Sequence, residues 1–212
     1  MSSGYHSSRL VHDARRDVVW KALWHYHFRH QIRPDDTVLD LGCGYGEFIN
    51  NVIARRRIGL DQWAGSADHL APGVESVVAP VTDLGAIAEG SIDFAFASNL
   101  FEHIPQEAFA RVLDQLRGKL AKGGTLNILQ PNYRYAYAEY FDDYTHVAVY
   151  SHVSLADFLT ANGFEVIDVR PRFLPLTVKS RLPVSPALIG LYLAMPFKPL
   201  GKQMLVRARL RD

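Results

Sequence analysis

Cysteine is almost absent. Cys43 is the only one among 212 residues, which excludes an internal disulfide and any zinc site built on a cysteine cluster. Net charge is nearly absent too. Lysine and arginine number 23 against 22 acids, a formal balance of +1, so no global positive field points to nucleic acid and no such partner is expected. The one local basic run, Arg55-Arg56-Arg57, falls at the expected end of a helix, where cations complement the helix dipole. Long hydrophobic runs are missing. No window reaches the length of a transmembrane helix, and the N-terminus lacks an apolar leader segment. Together these absences fit a reducing cytoplasm. No long repeat or low-complexity tract interrupts the chain. Apolar residues are plentiful, at 48%, enough for one full core, so residues 1–212 read as a single domain.

The stretch that organises the chain is Val38-Leu39-Asp40-Leu41-Gly42-Cys43-Gly44-Tyr45-Gly46-Glu47-Phe48-Ile49. It reads as a buried strand, a glycine turn and the start of a helix, expected over about Glu47–Arg55. Gly42, Gly44 and Gly46 let the backbone turn tightly and approach a bound molecule, since they carry no Cβ. A helix opening there aims free N–H groups and a positive dipole end at that molecule. A dinucleotide fingerprint needs G-x-G-x-x-G for a pyrophosphate. This chain has G-x-G-x-G with Asp40 beside it, which suits a ligand carrying a cationic amino group instead. Cys43 inside the turn reads as a small packed side chain rather than a nucleophile.

The rest of the chain alternates strands and helices. Residues 1–35 form a helical cap, periodic from about Leu10 to Ile32, with Tyr5 and Arg9 placed to reach over a ligand as a lid. His25, His27 and His30 lack the i, i+4 spacing of a metal pair. Ile58–Asp61 is a second strand, and Asp61 at its end is placed to accept hydrogen bonds from a ribose diol. Ser76–Ala79 is a third strand; Val81–Leu84 follows, with Asp83 either touching a ligand or capping a helix over Leu84–Ala88. Ile92–Ser98 is a fourth strand, running into Asn99-Leu100-Phe101-Glu102-His103. A helix over Pro105–Leu120 stops at Lys122-Gly123-Gly124, and Thr125–Leu129 is a fifth strand. Ser154 caps a helix over Leu155–Ala161, and Phe164–Val169 and Met204–Leu210 supply the sixth and seventh strands.

The glycine segment resembles the cofactor loop of class I S-adenosylmethionine (SAM)-dependent methyltransferases, D/E-x-G-x-G-x-G, at Asp40, Gly42, Gly44 and Gly46. The E-H-hydrophobic run after the fourth strand is similar to the same class. The resemblance implies an α/β fold: a seven-stranded, mostly parallel Rossmann-like sheet, helices on both faces, the last strand antiparallel. It implies SAM as cofactor on Asp40, Gly42, Cys43, Gly44, Gly46, Asp61 and Gln62, with Asp83 and Leu84 at the adenine and Asn99 and Leu100 along the methionine part. His103 is a candidate general base.

Two segments bear on the acceptor. Residues 131–152 form an unusually long connection on the ligand edge. Its aromatics and acids, Tyr133, Tyr137, Asp142 and Asp143, form a candidate substrate wall suited to a sugar, and His146 is a second candidate base. The spacing of Asp142–His146 assigns no metal. Residues 170–202 form an apolar, proline-rich insertion. Its segment 182–198 reads as a core or lid helix, a homodimer face or a peripheral membrane contact with snorkelling cations. The expected activity is methyl transfer to a small-molecule acceptor, foremost the O-methylation of a sugar or lipid-linked glycan in polysaccharide biosynthesis. A non-catalytic SAM-binding module, or a methyltransferase acting on another small molecule or a protein, is the alternative. A DNA amine is disfavoured, because no Asn/Asp-Pro-Pro-aromatic motif follows the fourth strand.

Overall fold

The computed structural model describes residues 13–175 and 185–211. The Tyr5 and Arg9 lid, and residues 176–184 of the insertion, lie outside the described residues. In chain order the elements are α1 (Ala14–Tyr26), β1 (Thr37–Leu41), β2 (Arg56–Asp61), β3 (Val74–Val78), β4 (Ile92–Ser98), α2 (Gln106–Lys119) and β5 (Leu120–Pro131). Then come α3 (Tyr133–Ala136), α4 (His152–Ala161), β6 (Phe164–Pro175), α5 (Pro186–Ala194) and β7 (Gly201–Leu210).

The seven strands form one sheet in the order β3-β2-β1-β4-β5-β7-β6. β1 pairs in parallel with β2 and β4, and β7 runs antiparallel to both β5 and β6. The chain winds outward from β1 in both directions. The carboxyl end of β1 therefore sits at the switch point, where open α/β sheets hold ligands.

Side chains alternate across the sheet, and the two faces build two cores. Leu39, Leu41, Ala95, Ala97, Leu126 and Ile128 face α2 and α4, whose Phe109, Val112, Leu116, Leu155 and Leu159 cover them. Val38, Phe94 and Phe96 face the other way, under Trp20, Leu23 and Phe28 of the N-terminal region and Phe48 after the glycine turn. By the same alternation Asp40 lies on the Val38 face, at the end that opens toward the glycine turn. α1 begins at Asp13, whose side chain accepts from the Arg15 amide at 2.9 Å, a standard N-cap.

Several expected elements differ. The helix after the glycine turn does not form; only a single 3-10 turn, Ile49–Asn51, precedes β2. Asn50 is the cause. Its amide donates to the His69 carbonyl and its oxygen accepts from the Ala71 amide, tying this segment to a neighbouring loop instead of to its own next turn. Arg56 accordingly ends no helix. It starts β2 and forms a two-pronged pair with Glu75 on β3, both contacts at 2.8 Å. The helix over Leu84–Ala88 is absent too: Gln115 of α2 donates to the Thr82 carbonyl and accepts from the Leu84 amide, fixing that loop from 31 residues away. Gly123 and Gly124 do not stop α2, since β5 already begins at Leu120. The cap of α4 is Ser151, with Ser154 as its reciprocal partner in a capping box. β6 continues to Pro175, bent by register shifts against β7, so part of the expected insertion is sheet.

α5 lies against α1. A Cβ on Gly190 would sit 2.7 Å from the Tyr26 ring, so the glycine permits this close approach. Its other side is open, with Leu188 and Leu191 exposed. Among the described residues, no helix is long and apolar enough to cross a membrane.

His27 stands at the edge of the aromatic face, against Phe28 and Phe173, and bonds Gln31 at 2.8 Å. Burial foremost, with Arg170 adding to it, pushes its pKa down to about 4 from an ordinary 6.5. The unfolded chain therefore binds a proton between pH 6.5 and about 4 that the folded chain refuses. Stability contributed by His27 is present above that window and is lost as pH falls through it, by at most about 3 kcal/mol. Urea unfolding across this range is expected to show a shallower acid slope for His27→Leu than for the wild type. Equal slopes would place the acid sensitivity elsewhere.

Candidate functional site

A cavity of about 840 Å³ opens at the carboxyl ends of β1, β2 and β4. Its floor is the glycine turn. Gly42, Gly44 and Gly46 have φ of +69°, +51° and +71°, a left-handed conformation that side-chain-bearing residues rarely adopt. A Cβ on Gly42 would also lie 3.0 Å from Leu100, which lines the cavity. Gly46 does not face the cavity; its missing Cβ makes room for Asn50 and Leu70 at 2.8 and 2.9 Å.

Asp61 binds the turn to the end of β2. Its two carboxylate oxygens accept from the amides of Gly44 at 2.9 Å and Trp63 at 2.8 Å. Each oxygen keeps a lone pair for a hydroxyl donor such as a ribose diol. Asp40 is buried beside it. Burial and the Asp61 carboxylate push its pKa well above the usual carboxylate range. A cation entering the cavity would relieve that strain. Burial likewise pushes the Cys43 thiol well up, and its sulfur lies against Gly59, so it is a small packed group and no nucleophile. Gln62, Asn99 and Leu100 line the cavity as expected. Asn99 holds φ of +48° while its amide bonds the Leu129 carbonyl.

Other expected contacts are not brought together. Asp83 is exposed and accepts from the Gly85 amide within its own turn; Leu84 is buried in the core. The backbone that Gln115 fixes presents Pro80, Val81 and Thr82 to the cavity in their place. The aromatic wall is also corrected. Tyr137 is 68% exposed and Tyr133 packs on Tyr140 and Phe141; neither lines the cavity. Tyr140 is fully buried, its hydroxyl donating to the Ala148 carbonyl, so these rings mainly pack the loop down. The loop instead gives the cavity its polar side chains, Glu139, Asp142, Asp143 and His146.

Residues that sequence reasoning did not find complete the walls. Arg16 and Trp20 come from α1, with Arg16 held by Glu47 at 2.6 Å. Tyr45 and Phe48 flank the turn, and Lys202 and Gln203 come from β7, Lys202 paired with Glu139. Only proximity in the fold identifies them; no local spacing marks them.

On the β4 side the chain gathers Glu102, His103 and His146. The amides of Val147 and Ala148 donate to the Glu102 carbonyl at 2.8 and 3.1 Å, which brings His146 beside His103, ring centroids 4.8 Å apart. His103 Nδ1 meets the Thr145 hydroxyl at 2.9 Å, and that hydroxyl donates to Asp143 at 2.6 Å. The hydroxyl proton is thus committed to Asp143, and His103 Nδ1 must donate. His146 Nδ1 meets the Tyr140 carbonyl, so it too donates. In both rings the lone pair is on Nε2. Burial, then His146, pushes the His103 pKa down to about 4, and burial pushes Glu102 up to about 8. Burial thus favours the neutral form of both side chains, so their 3.9 Å contact is not read as an ion pair. Burial works against ionisation of Asp143, but the hydroxyl and amide of Thr145 outweigh it and hold its pKa below the usual range. Glu102 does not cap α2, whose N-terminus has no side-chain cap.

A family profile described as a methyltransferase domain matches residues 12–169, most of the chain. The chain belongs to this family. The match makes it a methyltransferase domain. Solved methyltransferases share the fold. A SAM-dependent methyltransferase from Archaeoglobus fulgidus is 22% identical, with a TM-score of 0.68 over 91% of this chain and 93% of that one. The 1,6-didemethyltoxoflavin-N1-methyltransferase of Burkholderia thailandensis is 20% identical, with a TM-score of 0.63 over 99% and 85%. Among curated proteins, an uncharacterised 37.1 kDa protein in transposon TN4556 of Streptomyces fradiae is 29% identical over 141 residues, 62% of this chain. The chain spans 40% of that relative's length.

Proposed function

We propose that this chain is an enzyme that uses S-adenosyl-L-methionine (SAM) to methylate a hydroxyl oxygen of a small-molecule acceptor, a sugar or a lipid-linked glycan. The observation that carries the reading is the pair of imidazoles, His103 and His146, at the cavity wall, each with its Nδ1 engaged by the long loop and its Nε2 left as the acceptor nitrogen of the neutral ring. A hydroxyl must lose its proton as its oxygen is methylated, and a positioned neutral imidazole can take it. Glu139, Asp142 and Asp143 accept hydrogen bonds from the other hydroxyls of a polyol. The exposed apolar residues Leu188, Leu191 and Phe197 support a lipid-linked acceptor, with α5 lying on the bilayer surface.

Asp61 with Gln62 holds the cofactor ribose, Asp40 and the Gly42–Gly44 backbone its charged end, and Asn99 and Leu100 its methionine chain. When bound, SAM supplies an electrophilic methyl carbon; the acceptor oxygen takes the methyl and the carbon–sulfur electron pair stays on sulfur. The protein's own part is alignment and the proton. His146 Nε2 receives the hydroxyl proton and returns it to solvent through the open cavity, while Tyr140 holds the ring from behind.

The test is a screen of free sugars, lipid-linked glycans in vesicles, amines and thiols with methyl-labelled SAM. Label is expected on a hydroxyl oxygen. His146→Ala is expected to lower kcat by roughly 10²–10⁴-fold while calorimetry finds its SAM affinity within a few-fold of wild type. Turnover of amines or thiols alone, or an unchanged kcat, would refute the reading. Faster turnover of vesicle-borne acceptor than of free sugar would select the lipid-linked class.

A further inference from the structure

We propose that Glu102, His103 and His146 form a binding site for one divalent first-row transition cation. One donor atom from each lies within 4.8 Å of the other two. All three side chains line the cavity, so a cation there would keep coordination positions open to a bound molecule.

Glu102 is the first argument. It is 0% exposed, and neither carboxylate oxygen has a hydrogen-bond partner among the described residues. A buried polar group left unsatisfied is costly, and a bound metal is one of the few ways to satisfy a carboxylate in such a place. The residue belongs to the cavity lining, so a small side-chain rotation would bring its carboxylate to a cation there.

The imidazoles are the second, independent argument. A metal-bound histidine donates its other ring N–H to a carbonyl, a carboxylate or a hydrogen-bonded relay, fixing tautomer and orientation. Both rings are already set that way. His146 Nδ1 donates to the Tyr140 carbonyl. His103 Nδ1 donates to the Thr145 hydroxyl, which in turn donates to Asp143. Each Nε2 therefore carries the lone pair a metal needs. The backbone bonds from Val147 and Ala148 to the Glu102 carbonyl hold the two halves of the cluster together.

The donor set selects the class of metal. Two imidazoles and one carboxylate suit Zn²⁺, Mn²⁺ or Fe²⁺; Mg²⁺ and Ca²⁺ prefer all-oxygen shells. Metal–ligand bonds of about 2.1 Å place neighbouring donors about 3 Å apart, so the cluster would draw in by about 1 Å or more on loading through side-chain rotation. Resting on the hydroxyl-methylation reading, a cation here would replace His146 as the group that activates the acceptor: with Nε2 on the metal, the cation would bind the acceptor oxygen and lower its pKa, and the proton would leave to solvent through the open cavity.

The experiment is calorimetric titration of the chelator-treated full chain with Mn²⁺, Zn²⁺ and Mg²⁺, with Mn²⁺ electron paramagnetic resonance as a second readout. One Mn²⁺ or Zn²⁺ per chain is expected, with Mg²⁺ at least tenfold weaker. Glu102→Gln and His146→Gln are each expected to weaken binding 100-fold or more, with retained SAM binding as evidence of folding. Absence of stoichiometric Mn²⁺ or Zn²⁺ binding by the wild type, or unchanged binding by folded variants, would overturn the site. The two readings fail separately. Metal binding with no hydroxyl turnover refutes the acceptor reading alone; chelator-resistant hydroxyl methylation by a chain that takes no metal refutes this site alone.

Discussion

Asp61→Ala is expected to weaken SAM binding by at least 100-fold, because one side chain serves both the loop and the ligand. Its oxygens fix the amides of Gly44 and Trp63. Removing them strands two donors, one of them inside the glycine turn, at about 1–3 kcal/mol for each donor left buried. In the proposed site the same carboxylate is the acceptor for the ribose hydroxyls at the end of β2. Loss of the ribose contact and loosening of the turn act in the same direction. Asp61→Asn separates them. Its amide oxygen keeps one backbone bond, while its NH₂ faces a backbone N–H and cannot accept, so an intermediate loss of roughly tenfold is expected. Calorimetry with SAM, with NADH as control, decides the matter. An Asp61→Ala chain that binds SAM like the wild type would show that the ligand sits elsewhere, and tight NADH binding without SAM would contradict the cofactor.

What was legible in the sequence is what local chemistry dictates. Strand, acid and three glycines specify the β1 turn through backbone sterics alone, and the seven strands follow from apolar periodicity. The failures share one cause: a distant partner outbids the local preference. Asp83 and Leu84 read as a ligand contact and a helix start, yet Gln115 on α2 captures the backbone on either side of Asp83. Glu47–Arg55 reads as a helix, yet Asn50 is drawn to residues 69 and 71. Tyr133 and Tyr137 fall in the connection after β5, but composition cannot say which side of such a segment faces inward. The loop turns its acids and His146 to the cavity, packs Tyr133, Tyr140 and Phe141 on one another, and leaves Tyr137 exposed. Glu102 and His103 are adjacent in sequence, but their third member arrives through backbone bonds that no spacing predicts.

Those long-range contacts also explain why cavity and core are not separable on the α1 side of the sheet. Phe96 is fully buried at the centre of that face, with Phe48 at 4.0 Å, Phe28 at 5.2 Å and Trp20 at 5.9 Å between ring centroids. Phe48 and Trp20 in turn line the cavity. Truncating Phe96 leaves a void that these rings can collapse into only by leaving the cavity wall. Phe96→Ala is therefore expected to cost about 3–5 kcal/mol of stability and also to weaken SAM binding by tenfold or more. Leu116→Ala is the matched control. Leu116 is equally buried but belongs to the opposite core, on the inner face of α2, and does not line the cavity. It is expected to lose about 2–5 kcal/mol with SAM affinity unchanged. Urea unfolding and calorimetry on both variants, at a temperature where each is folded, separate the two effects. If both weaken SAM binding equally, general softening of the domain is responsible. If only Phe96→Ala does, the aromatic cluster is the wall that shapes the cofactor site, and its packing sets affinity without touching the ligand.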